Sequence, residues 1–536
     1  MAARIGIIVW YVVMNIAIGW WSARKIRNVG DFFIGGRKIG PWMSAFAFGT
    51  TYFSAVLFIG YAGKLGSGFG MHTLWIVAGN ALVGSLLSWW VLARRTRTLT
   101  TRLDAITMPE FLAARYDWIP YRGIAALVVF IFLVPYSASV YQGLGELFAV
   151  NLGIGYLPAI ALMAAITGIY LLMGGYMAVI WTDMFHGILQ IFGVVLLVTL
   201  MSAPLGGIFP SIAAGLRPEN TPALSMPTAP GMIPGWLTLT CLVLITSFGV
   251  WGMPQMVQKF YSIKKLEHIK PAMWMSTVFA LLMAGGAYFT GGLSRALLGD
   301  QIKTMGFDKA PDKIVPFLLH AHTPEWFWIL VLLLVLAASM STLASLVLVS
   351  SAAVSVDLLG YRVRGAGADK KGVLVLRLLC GLFVGISVVI AASQISFIVN
   401  MMAFSWGALA GFFIAPFIYG LFWRKATTAG AVSAGLTGLA IAILTPILWR
   451  FHAPPPAPVG TLIAIAKSPV IPLSSALAIV VPLIVLPIVS SFTRKLSPEV
   501  VEKVFAPEVA GEIEAAAALA ETDAKAAEEA AQAAAQ

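Results

Sequence analysis

Apolar residues run for about 18 to 25 positions at a stretch, and such runs recur along the chain from residue 4 to residue 491. A helix rises 1.5 Å per residue, so about 20 apolar residues cross a hydrocarbon core about 30 Å thick. The pattern predicts thirteen spans, at approximately 4–22, 41–62, 72–93, 123–149, 156–174, 183–203, 234–253, 271–293, 325–350, 373–392, 394–421, 426–449 and 470–491. The chain is therefore expected to be an all-α integral membrane protein. A soluble fold can hide one or two such runs, but not a dozen.

Composition agrees with the pattern. Apolar residues make up 59% of the 536 and charged residues 11%, against about 25% charged in a typical soluble domain. The formal net charge of +12 would raise nucleic acid as a partner for a soluble chain. Here the basic residues sit between apolar segments, and a membrane explains them without nucleic acid. Cys241 and Cys380 both lie in apolar runs and indicate neither a disulfide framework nor a zinc site. The stretch from Ile5 to Trp21 lacks a small-residue cleavage site and is followed by basic residues, so it reads as a span and not a signal peptide.

The lysines and arginines also orient the chain. One set of loops holds Arg24, Lys25, Arg27, Arg37 and Lys38, then Arg94, Arg95, Arg97 and Arg102, and then Lys259, Lys264, Lys265 and Lys270. The same set continues with Arg362, Arg364, Lys370 and Lys371, then Arg424 and Lys425, and ends with Arg494 and Lys495. The opposite set is sparser over longer loops. The positive-inside rule puts the first set in the cytoplasm, with the N-terminus outside and the C-terminus inside. Residues 508–536, rich in Ala and Glu, are expected to be a solvated helix or disordered tail with no part in chemistry.

A span that only anchors needs apolar residues alone, so polar and small residues at mid-membrane carry the information. Phe48-Gly49-Thr50-Thr51-Tyr52-Phe53-Ser54 places hydroxyls beside a glycine in the second span. An unwound turn there would free carbonyls for a cation or a cavity; a helix-packing face is the alternative. Ser341, Thr342 and Ser345 share one face of the ninth span and offer hydroxyl oxygens suited to a hard cation, or equally to close packing. Thr246-Ser247-Phe248-Gly249-Val250-Trp251-Gly252-Met253-Pro254-Gln255 disfavours a continuous seventh helix. The second and seventh spans lie five apart, as two inverted five-span repeats would place them, and interrupted spans at corresponding positions point to a transporter site. Asp183 opens the sixth predicted span, as a helix cap or as a functional acid. His72 and His186 fall near span ends, where an interfacial role is expected. The aromatic residues Tyr52, Phe53, Trp75, Tyr136, Tyr141, Phe248 and Trp251 could line a cavity. No phosphate-binding loop is present, so transport would be driven by an ion gradient or run downhill.

Taken in order, these segments resemble the sodium:solute symporter family, which includes sodium/proline, sodium/pantothenate and sodium/glucose transporters. The resemblance spans about residues 5–495 and rests on Gly35-Gly36-Arg37, Gly174-Gly175 with Ala178-Val179, Thr182-Asp183 and Gln190, Gly252-Met253-Pro254-Gln255 with Lys259-Phe260, and Ser341-Thr342. It implies two inverted five-helix repeats like those of the leucine transporter. Residues 1–40 would form an extra helix and loop, 41–203 the first repeat, 234–421 the second, 422–495 two further helices and 496–536 a cytoplasmic tail. It implies a common sodium site made of the carbonyls of Thr50, Phe53 and Ala338 and the hydroxyls of Ser341 and Thr342. Asp183, Ser341, Thr342 and Ser345 match a deeper sodium site that some members carry.

Sodium/proline symporters have an aspartate where this chain has Tyr52. The run Thr51-Tyr52-Phe53-Ser54-Ala55 looks more like the pantothenate and monocarboxylate branch. The expected function is sodium-coupled uptake of a small carboxylate by a monomer in the plasma membrane, with no enzymatic activity. Tyr52, Ser54, Phe248 and Trp251 are the candidate solute contacts. The alternatives are a sodium/proline or sodium/sugar symporter, a proton-coupled or uncoupled carrier, and a transporter-like sensor.

Overall fold

A computed structural model describes residues 2–24, 33–225, 233–307, 309–360, 370–452 and 468–506. The Ala/Glu-rich stretch 508–536, Lys25, Arg27, Arg362, Arg364 and most of the outer segment 450–469 lie outside the described residues. The principal helices are α1 (Ala2–Ala23), α2 (Pro41–Tyr52), α3 (Ala62–Phe69), the helical stretch α4 (74–102), α5 (Ile119–Leu152), α6 (Tyr156–Ser202) and α7 (Gly235–Phe248). They continue with α8 (Pro254–Tyr261), α9 (Ile269–Gly292), α10 (Glu325–Ala352), α11 (Lys370–Ala392), α12 (Ile398–Phe422), α13 (Thr428–His452) and α14 (Ile471–Phe492).

Ten helices among the described residues are long and apolar enough to cross a membrane, which makes this a multi-pass membrane protein. Their outer faces show what surrounds them. Leu374, Leu378, Leu382 and Val389 of α11 are each more than half exposed, as are Ile484 and Ile488 of α14. Stripes of exposed leucine and isoleucine on this scale are tolerated where the solvent is lipid.

The three remaining predicted spans take other forms. The first coincides with α1, the fifth is the shorter apolar stretch Tyr156–Ile169, and the second is broken. Two 47-residue helical runs, Val56–Arg102 and Tyr156–Ser202, would each extend about 70 Å, over twice the bilayer core. A glycine interrupts each: Gly70 at φ 55°, ψ −137° and Gly175 at φ 52°, ψ −151°. A side chain is disfavoured at both angles, and a Cβ on Gly70 would also stand 2.2 Å from the Gly215 carbonyl.

α10 is the axis of the molecule. Every residue from Val331 to Ala352 is buried, as expected of a helix that is apolar all round. It packs on α2, α5, α6, α8 and α11. α12 is nearly as enclosed, between α5, α13 and α14. Close crossings rest on missing side chains: a Cβ on Gly66 of α3 would stand 2.1 Å from the Gly291 carbonyl of α9. At the cytoplasmic end predicted by the basic loops, Arg122 pairs with Glu110 at 3.0 Å and with Asp357, just beyond α10, at 2.9 Å. Residues Pro498–Phe505 form a helix whose Phe505 ring lies under the guanidinium groups of Arg95, Arg115 and Arg424.

Candidate cation cage and solute cavity

α2 stops at Tyr52, and Phe53 is extended (φ −118°, ψ 129°) before the chain resumes as helix at Val56. The break falls four residues after Gly49, not at it. Gly49 is a packing position, where a Cβ would meet the Phe279 ring at 2.4 Å. A helix end leaves its last carbonyls without partners, and here the terminus is buried. α10 meets it. Ser339 Oγ accepts from the Ala55 N–H at 2.9 Å and Ser54 Oγ from the Val56 N–H at 3.2 Å, which caps the outer half.

On the inner half the balance is reversed. Thr342 Oγ1 lies 3.3 Å from the Thr50 carbonyl oxygen, 3.1 Å from that of Thr51, 3.4 Å from that of Phe53 and 3.2 Å from that of Ala338. A hydroxyl has one proton, so it serves one of these four acceptors at a time. Ser341 Oγ donates to Thr50 Oγ1 at 2.8 Å, and Thr50 Oγ1 donates to the Phe46 carbonyl. The fold thus gathers an excess of buried oxygen acceptors over donors, a donor set matched to a hard cation. All five residues expected at the common sodium site come together here, and Thr51 adds a carbonyl that sequence reasoning missed.

Below this cluster, Ser345 Oγ is 3.0 Å from Thr51 Oγ1 and accepts from Lys259 Nζ at 3.0 Å. Asp183 is fully buried two turns inside α6, which resumes after Gly175, and does not cap the helix. Its carboxylate neighbours the Lys259 ammonium and the Ser341 and Thr50 hydroxyls, yet neither oxygen accepts a hydrogen bond of good geometry. Lys259, counted among the cytoplasmic loop residues by its sequence position, is a buried residue of α8. His186 is buried as well and turns to Tyr11 Oη at 2.7 Å and Asn15 Oδ1 at 3.2 Å, away from both the interface and Asp183.

On the other side of the Phe53–Ser54 break lies a narrow cavity lined by Tyr52, Phe53, Ser54, Asn80, Tyr136, Thr246 and Trp406 among others. Tyr52 is the centre of its aromatic wall. Its ring stacks on Phe53 at 4.4 Å and lies parallel to Trp406 at 6.2 Å, and its hydroxyl donates to the Thr246 carbonyl near the second helix break. That break runs through the tight turn Gly249–Gly252 and extended Met253 to Pro254. Among the described residues no acid or base lines the cavity.

Of the four candidate solute contacts, Tyr52 and Ser54 line this cavity, and Phe248 and Trp251 do not. Phe248 is 40% exposed on the outside of its helix, and Trp251 donates its indole N–H to the Val83 carbonyl at 3.0 Å. Trp75, at 67% exposed, and Tyr141 also stand outside the lining. Asn80, Tyr288 and Trp406 were missed; only Asn80, a lone amide in an apolar span, carried a signal in the sequence.

The chain is similar to known proteins. The Osmoregulated proline transporter OpuE of Bacillus subtilis (strain 168) is 26% identical over 441 residues, covering 81% of this chain and 87% of its own. The Sodium/proline symporter of Escherichia coli (strain K12) is 26% identical over 446 residues, covering 82% and 86%. The High-affinity proline transporter PutP of Bacillus subtilis (strain 168) is 29% identical over 444 residues, covering 81% and 89%. A solved Na+-coupled sialic acid symporter in a substrate-bound outward-open state superposes with a TM-score of 0.71 at 16% identity, over 92% of this chain and 98% of the other, and so has the same fold. These relatives lend no support to the pantothenate and monocarboxylate branch expected from the Tyr52 run. The profile of the Sodium:solute symporter family matches residues 32–438, about three quarters of the chain, and the chain belongs to that family.

Proposed function

We propose that the protein is a sodium-coupled symporter that carries a small, net-neutral organic solute, proline or a related amino acid, into the cell. As a member of a transporter family it is a carrier and not an enzyme. The observation that carries the reading is the crowd of four carbonyl oxygens around the single Thr342 hydroxyl. Sodium is cargo here. The carbonyls of Thr50, Phe53 and Ala338 and the hydroxyls of Ser341 and Thr342 would hold it, and Asp183 with Ser345 would form a deeper cation pocket.

The solute would occupy the aromatic cavity, in contact with Tyr52 and Ser54. Phe53 belongs to both sites: its carbonyl faces the cage and its ring the cavity. A cation on that carbonyl would fix the break, complete the cavity wall and so couple the two occupancies. A cavity without an acid or a base suits a zwitterion better than a singly charged carboxylate. This favours proline, as named in the relatives, over the carboxylate expected from sequence. The two breaks fit inverted five-helix repeats over 41–203 and 234–421, within thirteen spans of a plasma-membrane monomer whose N-terminus lies outside.

The test is uptake of labelled L-proline, pantothenate and glucose by proteoliposomes under an inward sodium gradient, with choline as control. Sodium-dependent accumulation of proline alone is expected. Equal uptake in sodium and choline would overturn the coupling, and sodium-driven pantothenate uptake would restore the carboxylate.

A further inference from the structure

Lys259 is fully buried on α8, the helix that follows the second break. Its ammonium donates to Ser345 Oγ at 3.0 Å, and that hydroxyl is 3.0 Å from Thr51 Oγ1 at the end of α2. The Tyr176 ring closes one side of the ammonium at 5.1 Å. Asp183 faces it from α6 with both oxygens unpartnered, alongside Ser341 and Thr50. One positive and one negative group therefore sit within a membrane core, directly beneath the proposed cage, and the transport scheme gives Lys259 no role.

Each group explains the other. A buried ammonium requires an anion nearby, and a buried carboxylate requires a cation. An acid bordered by the hydroxyls of Ser341 and Thr50 is in itself a pocket for a hard monovalent cation. The Lys259 ammonium has the same charge as sodium and is attached to the protein. A sodium ion entering beside it would meet a like charge with no second acid to offset it among the groups that face the pocket: Thr50, Thr51, Tyr176, Ser341 and Ser345.

We propose that Lys259 is the resident cation of the Asp183–Ser345 pocket, standing where a second sodium would bind, and that it limits the protein to the one sodium of the Thr342 cage. This deepens the proposed function and rests on it, since it assigns the cation count of that same site. It also gives the two broken helices a common tie, because the ammonium on α8 reaches α2 through the Ser345 hydroxyl.

The test is equilibrium binding of 22Na+ alone to the purified full-length protein, counted per polypeptide. One site is expected for the wild type and for Lys259→Arg. Two are expected for Lys259→Met, in which Asp183 loses its neighbouring positive charge, and one again for Lys259→Met with Asp183→Asn. If Lys259→Met is too unstable to count in low sodium, its thermal midpoint should rise with sodium at least twice as far as that of the wild type. Two sites in the wild type, or one site in Lys259→Met with no added sodium-dependent stabilisation, would overturn the proposal. Absence of sodium binding by every protein, including the wild type, would overturn the cage itself and thus the proposed function.

Discussion

Thr342 concentrates the chemistry of the site in one oxygen atom. In the proposed cage, removing that oxygen would take one ligand from a cation in a low-dielectric site, where water must enter or affinity must fall. Thr342→Ala and Ser341→Ala should raise the sodium concentration for half-maximal uptake about tenfold, equivalent to about 1.4 kcal/mol. Thr342→Ser keeps the oxygen and should be much milder. Sodium-activation curves normalised to folded protein decide the matter: if these residues only pack helices, the curves stay in place and the Ser and Ala variants lose folded protein alike. The sequence disclosed this face because its hydroxyls recur at helical spacing inside an apolar run. It did not disclose Lys259, because counting basic residues by loop cannot recognise a lysine that the fold has drawn inward. The cap alternative for Asp183 fails for a related reason: the break that starts its helix is set by the conformation of Gly175, eight residues earlier.

At the scale of elements, α3, α5 and α12 meet at Asp312. Its Oδ2 accepts from the Ile398 N–H at 3.3 Å and from Gln142 Nε2 at 3.4 Å, while Lys64 bonds Asn400 at 2.9 Å nearby. Asp312 lies in the connection between α9 and α10 and is 6% exposed. Burial pushes its carboxyl up to about 6, against the pull of the Ile398 N–H and the Lys64 ammonium. A raised pKa favours the fold while the group is protonated. That contribution is complete below the unfolded value near 3.8 and is lost as the pH rises through 6. Asp312→Asn should therefore stabilise the protein more at pH 8 than at pH 4.5, by about 2 kcal/mol. Thermal midpoints of both proteins at the two pH values check this, and an equal shift at both would refute it. The positions of most helices were legible from apolar runs. The interruptions at Phe53 and Met253 were legible as regions but not as residues, since glycine content marks a possible break without fixing it.

For the whole molecule, the density of basic residues in alternate loops sets the expected orientation. Cysteine labelling from outside should reach a tag before α1 and spare one placed after Phe505; labelling of both from the same side would exclude the proposed odd number of spans. The structure removes Lys259 and Arg97 from the loop tally, since both are buried, but Arg94, Lys264, Lys270, Arg424 and Arg494 leave the bias intact. The proposed repeat relation between the halves is visible only as two polar interruptions five spans apart. Nothing in one sequence shows which side chains face each other across that distance, so the cavity lining was the least legible part.

The break after Tyr52 also has a history in time. α2 is 12 residues long and the helical run that resumes at Val56 is interrupted at Gly70, so neither piece crosses a bilayer unaided, and the carbonyls between them have their partners on α10. The contact from Ser341 to Thr50 joins residues 291 apart in the chain. At about 5 to 20 residues per second, a ribosome needs roughly 15 to 60 s to make that interval. Throughout it the newborn segment holds polar backbone in or beside lipid with nothing to satisfy it. Biogenesis must therefore shelter the first half at the translocon until α10 emerges, and a chain released before residue 345 has no means of completing the segment it made first.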